Sequence, residues 1–151
     1  MRRSSSSAAA ALLLWVAAAW CACAPAPESQ TGAGIDWVEN HAAGLRRAAE
    51  SGKPALAYFT ADWCAAGVVL KKEIWPDPRV VEASKHLVMI YVDMDEDPAT
   101  FAAYGVRGIP AIFFLSPSGE RAMTFSGERS AANLSRQMKS AAEKLSRPPA
   151  H

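Results

Sequence analysis

Residues 55–75 read ALAYFTADWCAAGVVLKKEIW, and the way that run divides decides the fold. ALAYFT, residues 55–60, is short, apolar and rich in aromatics, and it follows Lys53-Pro54. A run of that length bounded by turn residues predicts a buried strand. Asp62 then stands where a side-chain oxygen can cap a helix, which puts Cys64 in the first turn of a helix running to about Trp75. Pro76 and Pro78 stop that helix. A second cysteine three residues after Cys64 would complete a dithiol, but Gly67 stands there.

Working outward, Asp36 offers a cap for an earlier helix from about Trp37 to Glu50. Trp37, Ala42, Leu45 and Ala49 lie roughly on one face, and Ser51-Gly52 ends it. Downstream, residues 80–85 form a helical turn and HLVMIYVDM, residues 86–94, a second strand. DPATFAAYG, residues 97–105, is a short helix opened by Asp97-Pro98 and closed by Gly105. AIFFL, residues 111–115, and RAMTFSG, residues 121–127, are two more strands around a turn at 116–119. Ser130 caps a last amphipathic helix to about Leu145, with Leu134, Met138, Ala141 and Leu145 inward. Strands alternating with helices imply parallel pairing through crossovers, and the last two strands must be antiparallel neighbours. The expected architecture is α/β: a mixed four-stranded sheet flanked by helices, with an extra N-terminal helix. No internal repeat is visible.

The ends read differently. MRRSSSSAAAALLLWVAAAWCAC has a basic start, an apolar run from Ala8 to Trp20 and then small residues, the layout of a secretory signal over residues 1–23. That run is short for a membrane span. Ala22-Cys23 makes Cys23 a lipidation candidate of the lipoprotein kind, although Trp20 and Cys21 fit that pattern poorly. The alternative cuts, after Ala24 or Ala26, leave a proline just past the bond. Residues 24–35 read as a flexible linker, 36–146 as the folded domain and 147–151 as a frayed tail.

The chain of 151 residues has a formal net charge of +1 from 16 Lys and Arg against 15 Asp and Glu. Losing Arg2 and Arg3 takes it to about −1, with 14 basic residues. That balance excludes nucleic acid as a main partner, which needs a basic excess or patch. Of the three cysteines, Cys21, Cys23 and Cys64, only Cys64 lies within the domain. An unpaired thiol in an exported protein points to an intermolecular partner or a reactive site. Metals find no site: His41, His86 and His151 lack ligand spacing. DMDED at 93–97 begins like a calcium loop but puts Pro98 and Tyr104 where glycine and glutamate are required. No metal or organic cofactor is expected.

The strand ALAYFTADWC with its helix from Cys64, and YGVRGIPAIFFLSPSGE at 104–120, resemble the thioredoxin superfamily. ADWCAAGVVLKKEIWPDPRV at 61–80 is similar to the thioredoxin-like C-terminal domain of the disulfide reductase DsbD and to exported single-domain relatives. The resemblance covers about residues 36–145 and implies a thioredoxin-like fold. It makes Cys64 the catalytic nucleophile, with Trp63 and Pro110 walling a peptide groove. Ile109 would offer its backbone to an extended substrate, and the Ile109–Pro110 bond would be cis. A helix start favours the thiolate, the reactive form of cysteine.

The departures are equally specific. Gly67 is the degenerate resolving position, Val68 replaces the family's usual lysine, and Tyr58 stands where many relatives carry a buried acid. Cys64 can attack a disulfide, but the domain holds no thiol to release the adduct. The expected function is single-cysteine thiol–disulfide exchange with protein thiols or disulfides in the cell envelope, an external thiol donor completing each cycle. The alternative is a peptide-binding or chaperone module that keeps the groove without turnover. A glutathione-dependent monothiol enzyme is a third option with no binding signature of its own.

Overall fold

The computed structural model describes residues 34–146. The leader, Cys21, Cys23, most of the proposed linker and the tail lie outside the described residues. The order is β1 (Trp37–Val38), α1 (His41–Ser51), β2 (Ala55–Thr60), α2 (Ala65–Val69), a π-helical turn (Leu70–Ile74), α3 (Pro78–Ser84), β3 (Val88–Asp93), α4 (Pro98–Tyr104), β4 (Ala111–Leu115), β5 (Arg121–Thr124) and α5 (Ala131–Leu145). One five-stranded sheet runs β1-β3-β2-β4-β5. β1 and β2 pair parallel to β3, whereas β4 pairs antiparallel to both β2 and β5.

Two expectations are corrected. The sheet has five strands rather than four, because Trp37 and Val38 pair with Met89 and Ile90 instead of beginning a helix. Burying Trp37 against the edge of Trp75, ring centroids 5.0 Å apart, places that large side chain in the core. The helix cap moves from Asp36 to Asn40, whose side chain accepts from the Ala43 N–H at 2.8 Å; Asp36 instead pairs with Arg47. The inward face shifts with it, to Gly44 and Ala48, while Ala42 and Ala49 are exposed. Gly44 is needed there: a Cβ on it would stand 2.6 Å from two Ile90 side-chain carbons, so glycine lets α1 lie close on β3.

The second correction concerns the segment after Cys64. In place of one regular helix to Trp75, α2 widens after Val69, and the Trp75 N–H donates to the Leu70 carbonyl, five residues back, at 3.0 Å. The wider turn faces Leu70, Ile74 and Trp75 inward and leaves Lys71, Lys72 and Glu73 exposed. Pro76 follows, while Pro78 opens α3, capped by the Asp77 side chain.

Strand β2 is buried along its whole length, as a central strand covered on both faces must be. Leu56 and Tyr58 face a core with Trp75, Met89, Phe114, Leu134 and Met138, beneath α3 and α5. Ala57 and Phe59 face the other core, with Ile90, Phe101 and Phe113, beneath α1 and α4. The short helix at 98–104 is capped by Asp97, accepting from the Thr100 N–H at 3.0 Å, and ends at Gly105 with φ +62°.

The second core includes a pH-sensitive contact. His41 lies 3.1 Å through Nε2 from the Tyr104 hydroxyl, and burial pushes its pKa below the ordinary 6.5, with Asp97 partly opposing. The fold therefore favours neutral imidazole. As pH falls through about 6.5 the unfolded chain binds the proton first, and stability declines. Melting temperatures measured from about pH 7.5 to about pH 5 should fall, and His41→Gln should flatten that decline.

Candidate functional site

Cys64 sits where β2 turns into α2. It is the N-cap residue of α2, with extended backbone (φ −76°, ψ 104°). Its N–H donates to Ala61 O at 3.0 Å and its carbonyl accepts from the Val68 N–H at 2.9 Å. Asp62, expected as the cap, is exposed and does not cap the helix, because Cys64 fills that position. Cys64 is a free thiol, 7% exposed. The preceding Trp63 is 65% exposed, its indole N–H donating to Asp95 Oδ2 at 3.0 Å.

The Ile109–Pro110 turn reaches the same end of the sheet. Its peptide bond is cis; Pro110 is buried and Ile109 half-buried. In the β2–β4 ladder Phe59 pairs with Ala111. That pair ends the ladder, with Pro110 just before β4 and Thr60 the last residue of β2, four before Cys64. Arg129 steadies the turn from outside, its guanidinium donating to Pro110 O at 3.4 Å. Cys64 and the Ile109–Pro110 turn thus lie at the same end of the sheet, the carboxyl end of β2.

The position three after Cys64 is not an open vacancy. A Cβ on Gly67 would lie 2.3 Å from Thr60 Oγ1, 3.2 Å from the Tyr58 hydroxyl and 3.5 Å from Cys64 Cβ. The last distance suits a disulfide; the first is impossible without movement of Thr60. Tyr58 also reaches this point, its hydroxyl donating to Gly67 O at 3.4 Å. Burial pushes the Tyr58 phenol above its ordinary value of 10, so it stays protonated at neutral pH. The nearby Thr60 hydroxyl and Trp75 indole act the other way, yet neither reaches hydrogen-bond geometry, and both atoms are buried without a partner.

Thr60, Asp95 and the pair Trp37 and Trp75 are the site neighbours that sequence reasoning passed over. Thr60 was open to discovery, since it ends the strand that feeds the cysteine helix. Asp95 was not, because its contact spans 32 residues. Among the described residues no group of His, Cys, Asp and Glu could hold a metal ion, and no helix is long and apolar enough to cross a membrane.

A cysteine at a strand-to-helix corner, with a cis Ile-Pro bond at the same end of a mixed sheet of this order, defines a protein of the thioredoxin class. The chain belongs to the thioredoxin-like family, whose model matches residues 36–117. It is 32% identical over 106 residues to the thiol:disulfide interchange protein DsbD 1 of Pseudomonas aeruginosa, covering 66% of this chain and 18% of that protein. Among solved structures it is similar to a DsbH oxidoreductase, with a TM-score of 0.63 and 25% identity over 76% of this chain and 88% of that one. The oxidised C-terminal domain of Neisseria meningitidis DsbD matches with a TM-score of 0.58 at 24% identity, covering 66% of this chain and 90% of that domain, which speaks to fold. The chain is a domain related to those of thiol–disulfide interchange proteins, and it spans under a fifth of the length of that curated relative.

Proposed function

We propose that the protein performs thiol–disulfide exchange on protein substrates through Cys64 alone, with a thiol from outside the domain completing the cycle. The observation that carries this reading is the placement of Cys64 at the β2–α2 corner, at the same end of the sheet as the cis Ile109–Pro110 bond. Cys64 thiolate attacks one sulfur of a substrate disulfide. The substrate S–S bond breaks as a Cys64–substrate S–S bond forms, and the second substrate sulfur leaves as thiolate and takes a proton from solvent. Cys64 is thereby oxidised and that sulfur reduced. An external thiolate then attacks the mixed disulfide, forms its own S–S bond to the substrate sulfur and returns Cys64 as thiolate. Trp63 and Pro110 flank the incoming peptide, and Ile109 offers backbone hydrogen bonds.

The apolar leader at 1–23 supports an exported protein working at the bacterial envelope, with Cys23 as the point of lipid attachment. The relation to interchange proteins supports the choice of protein disulfides as substrate. The buried Cys64 and the closed position 67 favour a second reading, a peptide-binding module without turnover.

Trapping separates the two. Full-length protein mixed with a disulfide-bridged peptide should give a covalent adduct by intact mass, mapped to Cys64 by digestion and absent in Cys64→Ser. The adduct should persist until glutathione or another small thiol is added. An adduct on any other residue, or none at all, defeats the exchange mechanism. Peptide binding that survives Cys64→Ser undiminished, with no adduct in wild type, establishes the module instead.

A further inference from the structure

We infer that Arg129 selects the substrate: an extended peptide with a carboxylate on the side of its cysteine that lies along the Ile109–Pro110 turn. This rests on the reading that a peptide docks at that turn, and it holds whether or not Cys64 turns over.

The sheet order divides charge across this end of the molecule. Cys64 follows the central strand β2, with β3 on one side of it and β4 and β5 on the other. Because β3 runs parallel to β2, its exit at 94–96 lies at the Cys64 end, where the Met94 N–H donates to Thr60 O at 2.9 Å. Asp95 and Glu96 are exposed there, and Asp95 holds the Trp63 indole. Strand β4 is antiparallel to β2, and β5 to β4, so the entry to β4 and the exit from β5 reach the same end on the opposite side. Those two segments carry Arg107 and Arg129, both exposed. Acidic residues thus lie on the Trp63 side of Cys64, arginines on the Pro110 side.

The structure fixes Arg129 on the turn itself. Its guanidinium donates to Pro110 O at 3.4 Å and makes no ion pair among the described residues, even with the adjacent Glu128. Burial is what chiefly raises the Tyr58 phenol; of the charges acting on it, Cys64 adds to the rise and Arg129 opposes it. Both groups are therefore close enough to be felt at one hydroxyl. A guanidinium has five N–H donors, and a planar fork with donors to spare beside a peptide-binding turn matches a carboxylate. A carboxylate on the other side of the substrate cysteine would instead meet the field of Asp95 and Glu96.

The probes are dye-labelled peptides with one cysteine capped by 2-mercaptoethanol as a mixed disulfide, and with Glu, Gln or Lys either just before or just after it. They are titrated by fluorescence anisotropy into full-length Cys64→Ser protein at low salt. At one of the two placements Glu should bind about fivefold more tightly than Gln, and Lys more weakly; at the other Glu should gain nothing. Added salt should shrink the gap. Arg129→Glu should invert the order, Lys overtaking Glu, and Arg129→Gln should erase it. A residue that only steadied the turn would weaken every peptide alike. Uniform weakening, equal binding of Glu and Gln at both placements, an order that survives Arg129→Gln, or no saturable binding overturns the inference. Adduct rates in the protein with Cys64 intact should follow the same order. If no peptide forms an adduct, the exchange mechanism fails while the affinities still decide the role of Arg129.

Discussion

Gly67→Cys introduced alone lowers the melting temperature by roughly 10 °C and produces no dithiol enzyme, whereas Thr60→Ala with Gly67→Cys forms a disulfide between Cys64 and the introduced thiol and turns over. The single change adds a Cβ 2.3 Å from Thr60 Oγ1, and overpacking a closed site costs about 1–3 kcal/mol. Replacing glycine in a helix returns only a few tenths of a kcal/mol for cysteine, so the clash wins. Thr60 is short and branched at Cβ, and rotating it exchanges the hydroxyl for a methyl without clearing the space. Alanine at 60 clears it, and removing a buried hydroxyl that has no partner is close to neutral. The 3.5 Å from Cys64 Cβ then permits a disulfide, leaving the Tyr58 hydroxyl at 3.2 Å to give by a few tenths of an ångström. An oriented neighbouring thiol should release the mixed disulfide at least about a hundredfold faster than millimolar external thiol does. Intact mass shows the lost hydrogens, and an insulin-type reduction assay reads turnover. Thr60→Val with Gly67→Cys is the control: it keeps the bulk, removes the polarity and should stay inactive. Activity from Gly67→Cys alone would show that Thr60 does not guard the site.

That Thr60 closes position 67 was not legible from residue types, though its place at the end of the strand and much around it were. The buried strand at 55–60, the Asp97 and Ser130 caps and the strand at 111–115 follow from local rules, because cap, period and turn chemistry act within a few residues. Trp37 shows where such rules fail. A tryptophan after an aspartate reads as a helix start, yet a two-residue parallel pairing with Met89 and Ile90 and a seat among Tyr58, Trp75 and Tyr91 decide its conformation. The π turn was hidden for a like reason. Nothing in LKKEI distinguishes five-residue from four-residue hydrogen bonding; the inward demand of Ile74 and Trp75 does. At the site, Cys64, Ile109 and Pro110 could be chosen by motif, and the ladder between β2 and β4 brings them to one end of the sheet. The occupancy of position 67 depends on how a strand side chain meets a helix backbone, a distance that no spacing encodes.

Restoring an acid at position 58 should be far more damaging than restoring the thiol. Tyr58→Asp should give no cooperative thermal transition at neutral pH, by near-ultraviolet circular dichroism or calorimetry. Tyr58 is 3% exposed and its ring packs on Trp37, Trp75 and Tyr91 at centroid distances of 5.8, 5.0 and 5.9 Å. Losing a buried ring costs about 3–5 kcal/mol, and a carboxylate without a partner in its place adds several more. Together these rival the whole stability of a domain this size, about 5–15 kcal/mol. Burial raises the folded-state pKa of such a carboxyl, so the fold holds the proton more tightly than the unfolded chain and stability should recover as pH falls. Tyr58→Phe, which gives up only the 3.4 Å bond to Gly67 O, should cost about 1 kcal/mol. A Tyr58→Asp protein melting within a few degrees of wild type would refute this account of the aromatic cluster. A phenol that stays protonated at neutral pH cannot take a proton from a second thiol, and position 67 has no such thiol to deprotonate. Tyr58, Thr60 and Gly67 are therefore fitted to one another, and a dithiol cycle cannot be recovered here by changing any one of them.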